Sequence, residues 1–568
     1  MTRTTTHIII ATTILSLFPC LSTTALANNN ETVDVDVVFP DDPNYFESIQ
    51  PNYDLPPHLW YEPDSVFYPS SALELQSFLS QHSASNNATA ALSPIGGAHG
   101  SLGYAFSGFD AAVSFRNMSK IGSIDEENLQ ITIQAGATLG DLIQALNGTG
   151  YMTAVGTCAG VGVSGWHLGG GYSMFSKQLG LGVDNVKSMT VMLPNATEVV
   201  ATPTSHPDLY WAMRGAGHQS FGWMMDVTIG LLPLDTYVYI DLERYCTPTN
   251  LTECAEIMHT WQEFFYSPQV EESDLTSYYW FFQPVDDQGN FSLQFIFGYL
   301  SDSVEAIEEM KAILDPFVQY LQDTDGHFGT SGYRIGQFAD YTDLAGGTVD
   351  SYIGIESPFY EPKLGLYLER NMTVENWEVI VDAFMIQHAE LQKNNPRMQP
   401  AVVVGFEAYS GDMVNKATDY NAHFQRDGTA GNLMIDLFTY TEEKPGIDQS
   451  VEDAWDAGIA FLEGLYKEND DGTSGLFDDF LYKHDGVFQA YANYKFAEYG
   501  EGDDRWPALE SYYGGNVCRL VEVKKMYDPT VMFDFPQGIP VYAPEGKCGN
   551  VTESDDNSAS EVSYGGKG

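Results

Sequence analysis

Residues 156–172 read GTCAGVGVSGWHLGGGY. Glycines 160, 162 and 165 have the spacing G-x-G-x-x-G, and Asp184 lies 19 residues beyond Gly165, where a dinucleotide fold keeps its ribose-binding acid. That reading needs a helix to begin within the glycines, so that its N-terminus meets a pyrophosphate. Gly169-Gly170-Gly171 would then fall in the first two turns, at a cost of about 3 kcal/mol against alanine. The stretch also carries a cysteine, Cys158, which a nicotinamide fingerprint does not explain.

The chain opens MTRTTTHIIIATTILSLFPCLSTTALA, with a basic residue, an apolar core and a small-x-small site at Ala25–Ala27. This is the anatomy of a secretory leader over residues 1–27, too short and too broken by Thr, Ser and Pro to span a bilayer. Nine Asn-x-Ser/Thr sequons, at Asn30, Asn87, Asn117, Asn147, Asn195, Asn250, Asn290, Asn371 and Asn550, fit a secreted glycoprotein. Outside the cell NAD is scarce, which further weakens the nicotinamide reading. The formal charge of −53 sets the surface against nucleic acid and anionic lipid, so neither is an expected partner. With 43% hydrophobic and 13% aromatic residues the chain can still build large cores, so the acidity does not mean disorder.

Loss of Cys20 with the leader leaves Cys158, Cys246, Cys254, Cys518 and Cys548. Five is odd, and a secreted protein rarely keeps a thiol idle. Local pairing, 246 with 254 and 518 with 548, is the simplest of three connectivities, and it leaves over Cys158.

The organisation expected is α+β. After an acidic lead-in (28–57), residues 58–235 alternate short strands, such as AAVSF and LQITIQAG, with the helices SALELQSFLSQHS and TLGDLIQALNGTG. NVKSMTVML and EVVATP are expected to pair across a Pro-Asn turn. Residues 236–480 offer the strands TSYYWFFQPV, FSLQFIFGYL, AVVVGFEAY and LMIDLFTYT. The helices DSVEAIEEMKAILDPFVQYL, VENWEVIVDAFMIQHAELQ and EDAWDAGIAFLEGLYKEN accompany them, which predicts an antiparallel sheet covered by helices. A further segment (481–545) precedes a polar tail (546–568).

A second glycine-rich loop, Gly96-Gly97-Ala98-His99-Gly100, lies upstream of the first. A histidine in one such loop and an odd cysteine in the other form a specific combination. Metal binding by the pair would need further ligands nearby, and none has suitable spacing. GGAHG, GTCAGVGVSGWHLGGGY, GLGVDNV, DLYWAMRGAGHQSFG, YANY and YYGGNVCRLVEVKKMYDPTVMFDFPQGI occur in this order. Together they resemble the berberine-bridge-enzyme-like flavoprotein oxidases of the vanillyl-alcohol-oxidase superfamily, from about Pro69 to Pro233 and again from Gln489 to Ile539.

The resemblance implies a two-part PCMH-type FAD-binding domain, a separate substrate domain, and a C-terminal segment (481–545) returning to the FAD domain. It implies FAD tethered twice, through an 8α link to His99 and a 6-S link to Cys158. Gly96, Gly97, Ala98, Gly156, Thr157, Val161, Gly162, Gly165, Gly222, Tyr491 and Asn493 would complete the cofactor site. Tyr494 matches the family's base and Tyr172 a second active-site tyrosine. Valine at 161 accompanies fast reaction with O2. The expected activity is hydride transfer from a CH–OH donor, a sugar or oligosaccharide before others, to flavin and on to O2 as peroxide, by a secreted monomer. The alternatives are oxidation or cyclisation of a secondary metabolite, a quinone-linked dehydrogenase, and an inactive surface binding protein. Departures from the family pattern are Ile95 for an arginine, Ala98 for a glycine, Trp166 for a histidine, and Gln219-Ser220 for a glycine pair.

Overall fold

The computed structural model describes residues 36–548, apart from 50–60, 85–91, 285–289, 346–358, 414–419, 441–448, 467–474, 478–480, 482–504 and a few stretches of one to three residues. The leader (1–27) and nearly all of the tail lie outside the described residues. Among the described residues three sheets carry the fold. In the first, Asp36–Val38, Val66–Tyr68, Ala111–Ser114 and Leu92–Ile95 lie side by side, antiparallel at the first pair and parallel at the other two. Part of the acidic lead-in is therefore built into the sheet, and Tyr45 and Ile49 beyond it are buried. The second sheet is antiparallel in the order Gln130–Gln134, Trp223–Gly230, Val186–Met192, Glu198–Ala201. Its last two strands are the expected hairpin. The helix Leu139–Leu146 starts with a capping box between Thr138 and Asp141, which satisfies two backbone donors that helix ends leave open.

Among the described residues the third sheet has nine strands, all antiparallel. Its centre runs Thr236–Cys246, Phe291–Tyr299, Leu275–Pro284, Met398–Ala408, Thr429–Tyr440. Helices Leu251–Phe265, Ala306–Asp323 and Val374–Asp382 belong to this half. The expected long helix after Thr373 is interrupted by a π-helical turn at Ala383–Gln387 before continuing as His388–Asn394. Trp261, on Leu251–Phe265, meets Phe406 edge-on at 5.6 Å, so Phe406 points toward the helices. Side chains alternate along a strand, and the next residue, Glu407, therefore faces the other way, toward the first two sheets.

The halves are joined by buried polar contacts. Asp184 forms a two-pronged ion pair with Arg426 at 2.9 and 3.1 Å and accepts from Asn421 Nδ2 at 2.6 Å. Burial opposes ionisation of Asp184, yet the guanidinium beside it holds its carboxyl below the usual range. The C-terminal helix Val517–Tyr527 is pinned by the fully buried Lys524, which pairs with Asp528 at 2.7 Å and donates to the carbonyls of Ser220 and Phe533. Disulfides join Cys246 to Cys254 and Cys518 to Cys548, and Cys158 is in neither. Among the described residues no helix is long and apolar enough to cross a membrane.

Candidate active site

A helix does begin within the glycines of 156–172, which corrects the expectation that none could. Val163–Gly169 is helical with Gly162 at its N-cap. It lasts seven residues and ends where Gly170 and Gly171 take φ values of 152° and 82°. No strand leads into it, since residues 153–162 are irregular, so the βαβ frame of a nicotinamide fold is missing. Asp184, the would-be ribose acid, is occupied by Arg426.

The glycines serve close packing between loops. A Cβ on Gly97 would stand 2.2 Å from the backbone nitrogen of Gly162, and one on Gly162 at 2.2 Å from that of Gly97. The two loops carrying His99 and Cys158 thus clasp backbone to backbone. Downstream, a Cβ on Gly169 would run into the His218 ring and one on Gly171 into the Trp166 indole. Gly169 and Gly171 therefore make room for two large rings of this protein, and Gly171 also borders the cavity between the loops.

Between the loops lies a cavity of about 310 Å³. Gly96, Gly97, Ala98 and His99 line it from one loop, and Gly156, Thr157, Cys158, Val161, Gly162 and Gly165 from the other. Tyr172 and Gly222 also reach it. Tyr491, Asn493 and Tyr494 lie outside the described residues, as does Gln219. Ala98 has φ 54°, a left-handed conformation that suits the glycine it replaces.

Tyr172 is buried, with its hydroxyl aimed at the carbonyls of Ser277 and Ala408, both at 3.4 Å. Burial, with Glu407 adding to it, pushes its pKa well above the ordinary 10. At neutral pH it is a phenol that donates, and it forms part of the cavity wall. His218 directs its Nε2 to the carbonyl of Gly165 at 2.9 Å, and burial lowers its pKa, so the ring is neutral with its proton on Nε2.

Five lining residues were given no role by the sequence reading. His218 and Trp166 occupy positions known only as departures or unremarked neighbours. Tyr512 and Gln537, bonded at 2.7 Å, close one wall from the C-terminal segment. Glu407, 1% exposed, enters from the nine-stranded sheet. Its signal was available: a lone carboxylate in the apolar run AVVVGFEAY, where an ionisable group needs a reason to be buried.

The lining fits a flat, partly apolar cofactor such as a flavin. Beside the cavity, the position of a Cβ on Gly165 or Gly100 is open space, so the chain there leaves room that no neighbour fills. A nucleophilic thiol and an imidazole face this one space from two clasped loops.

Comparison with known proteins agrees. Residues 63–202 match the family described as FAD binding domain, and residues 490–540 the family described as Berberine and berberine like. The chain is 26% identical over 461 residues to the xylooligosaccharide oxidase of Thermothelomyces thermophilus, covering 78% of this chain and 81% of that one. It is 26% identical over 417 residues to the chitooligosaccharide oxidase of Gibberella zeae, covering 72% and 73%. The solved berberine bridge enzyme of Eschscholzia californica superposes with a TM-score of 0.69 at 19% identity, over 89% of this chain and 96% of that one. That likeness speaks for a shared fold. Two glycine-rich loops clasped around one cavity, a helix-covered antiparallel sheet opposite, and both family matches lead to one conclusion: the chain is an FAD-linked oxidoreductase similar to the berberine-bridge-like oxidases.

Proposed function

We propose that this protein is a secreted oxidase that takes a hydride from a CH–OH donor, most naturally a sugar or oligosaccharide, and returns it to O2 as hydrogen peroxide. The observation that carries the reading is the convergence of His99 and Cys158 on one cavity whose far side is the substrate sheet. His99 and Cys158 would hold the flavin covalently at its 8α and C6 positions. When bound, the flavin supplies the two-electron acceptor that an alcohol needs, with a potential raised by the histidyl link.

The chain's own task is to orient the donor, keep water away and accept the hydroxyl proton. Tyr494, on the strength of the YANY motif, is the base, and a phenol with a reference pKa of about 10 needs a polarising neighbour for this. Val161, small and in the lining, leaves room beside the flavin for oxygen. The names of the two oligosaccharide oxidases favour a saccharide over a secondary metabolite. Secretion rests on the leader, on both disulfides, and on exposed sequon asparagines at 117, 147, 195, 250 and 371.

The test is spectroscopic. The purified protein should be yellow, and the colour should stay with the acid-precipitated pellet. His99→Ala and Cys158→Ala should each keep one link, and only the double variant should release the flavin. Colour that leaves the wild-type pellet would refute covalent attachment. Peroxide release on xylobiose, chitobiose and aromatic alcohols then tests the donor class.

A further inference from the structure

We infer that residues 528–548 are a strap that closes over the cofactor cavity once the cavity is filled, and that the Cys518–Cys548 disulfide is its lock. This rests on the proposed function only in placing a flavin in the cavity.

The strap is irregular throughout, with neither helix nor strand in it, and it carries Phe535 and Gln537 into the cavity wall. Gln537 accepts at Oε1 from Tyr512, another lining residue, at 2.7 Å. Its other contacts reach both sides of the cavity. Leu92, which opens the outer strand of the first sheet and leads to the His99 loop, donates to the carbonyl of Met532 at 3.1 Å. The Tyr104 ring, just beyond that loop, meets Phe535 at 5.6 Å. On the other side Trp223, next to Gly222, stacks on Phe533 at 4.5 Å. Tyr104 and Trp223 line the cavity themselves, so the strap spans from one wall to the other. Covalently the strap grows out of the helix Val517–Tyr527, which is docked on the FAD half. There Arg519 pairs with Asp208 at 3.1 Å and lies over Trp211 at 3.9 Å, and Lys524 holds the carbonyl of Ser220. The far end of the strap is tied by Lys547 to Glu510 at 3.1 Å, a pair about half exposed and therefore weak. The disulfide returns that end to the docked helix and closes a ring that contains Phe535 and Gln537. Both cysteines are half-buried and lie outside the cavity lining. A strap held at one end can peel away from its free end, whereas one held at both ends cannot. The bond therefore acts on access to the cavity without touching what the cavity holds.

The experiment uses the full chain without its tethers, His99→Ala/Cys158→Ala, loaded with FAD. It is compared with the same chain carrying Cys518→Ser and Cys548→Ser. Release of FAD into flavin-free buffer is followed by the return of free-flavin fluorescence, and uptake by the emptied protein by its loss. Hydrogen exchange at the Leu92 amide, whose acceptor is on the strap, is read in the tethered protein with and without the serine pair. A ring of this length shifts a closing equilibrium by roughly a hundredfold. Release, uptake and Leu92 exchange should all quicken toward that factor in the serine pair. If the untethered chain takes up no FAD, Leu92 exchange in the tethered protein decides alone. If the serine pair fails to fold, folded protein treated with a phosphine reductant takes its place, since Cys246 and Cys254 are buried at 1% and 2% exposure. Rates within about twofold of the disulfide-bonded protein would overturn the strap and leave the proposed function standing. A wild type that holds no flavin would overturn both.

Discussion

Replacing Asp184 with alanine separates the two roles offered for that residue. The Asp184 side chain is fully buried, and that of Arg426 is 6% exposed. Removing the carboxylate leaves a guanidinium in the interior without its counter-charge, which costs about 3–5 kcal/mol. The bonds from Asn421 and from the Leu181 amide are lost in the same step and fall within that figure. For a unit of this size each kcal/mol moves the midpoint by about 2–4 °C, so the expected fall is roughly 6–20 °C. Arg426→Met in the same chain removes the stranded charge and should restore most of the loss, because an apolar pair avoids the desolvation both ions carry. Thermal unfolding followed by near-UV circular dichroism, with urea midpoints as a second measure, reads both effects. An Asp184→Ala protein melting within about 2 °C of its parent would refute the latch. A stable Asp184→Ala protein that loses its flavin would instead return Asp184 to the cofactor-binding role its spacing advertises.

Acid should loosen the fold before the carboxylates titrate. Burial lowers His167 to about 4, and burial together with Arg426 lowers His423 to about 3. Between these values and about 6.5 the unfolded chain binds more protons, so stability is lost as pH falls through that window, by up to about 1.4 kcal/mol per unit for each histidine. Urea midpoints at pH 7, 6 and 5 measure it, and a flat profile would contradict the buried neutral rings. Gly162→Ala should destabilise the clasp by about 1–3 kcal/mol and impair flavin retention, because the added Cβ meets backbone that cannot rotate away. Ala98→Gly should raise stability by about 1 kcal/mol by relieving a left-handed alanine, with a higher melting temperature as the readout. Tyr494→Phe should abolish peroxide release while the flavin stays bound, and undiminished turnover would remove Tyr494 as the base.

Much was legible from local signals. The hairpin at 186–201 and the helix at 139–146 follow from periodicity and caps, and both disulfides from proximity in sequence. His99 and Cys158 line one cavity, as the family resemblance of their two loops implied. What local reading missed was a second use of the triple glycine. Gly171 borders the cavity, and Gly169 and Gly171 also make room for His218 and Trp166, the first of these 49 residues downstream of Gly169.

By itself, then, the sequence determined the composition of the site: two glycine-rich loops, a thiol, an imidazole, and a chain able to build an α+β frame, since these are properties of short stretches. Tertiary structure alone decided that Asp184 would meet Arg426, that Tyr172 would be buried, and that Glu407 would face the cavity. Each of those depends on desolvation and on a partner more than 200 residues away or in another sheet, and no spacing along the chain encodes that.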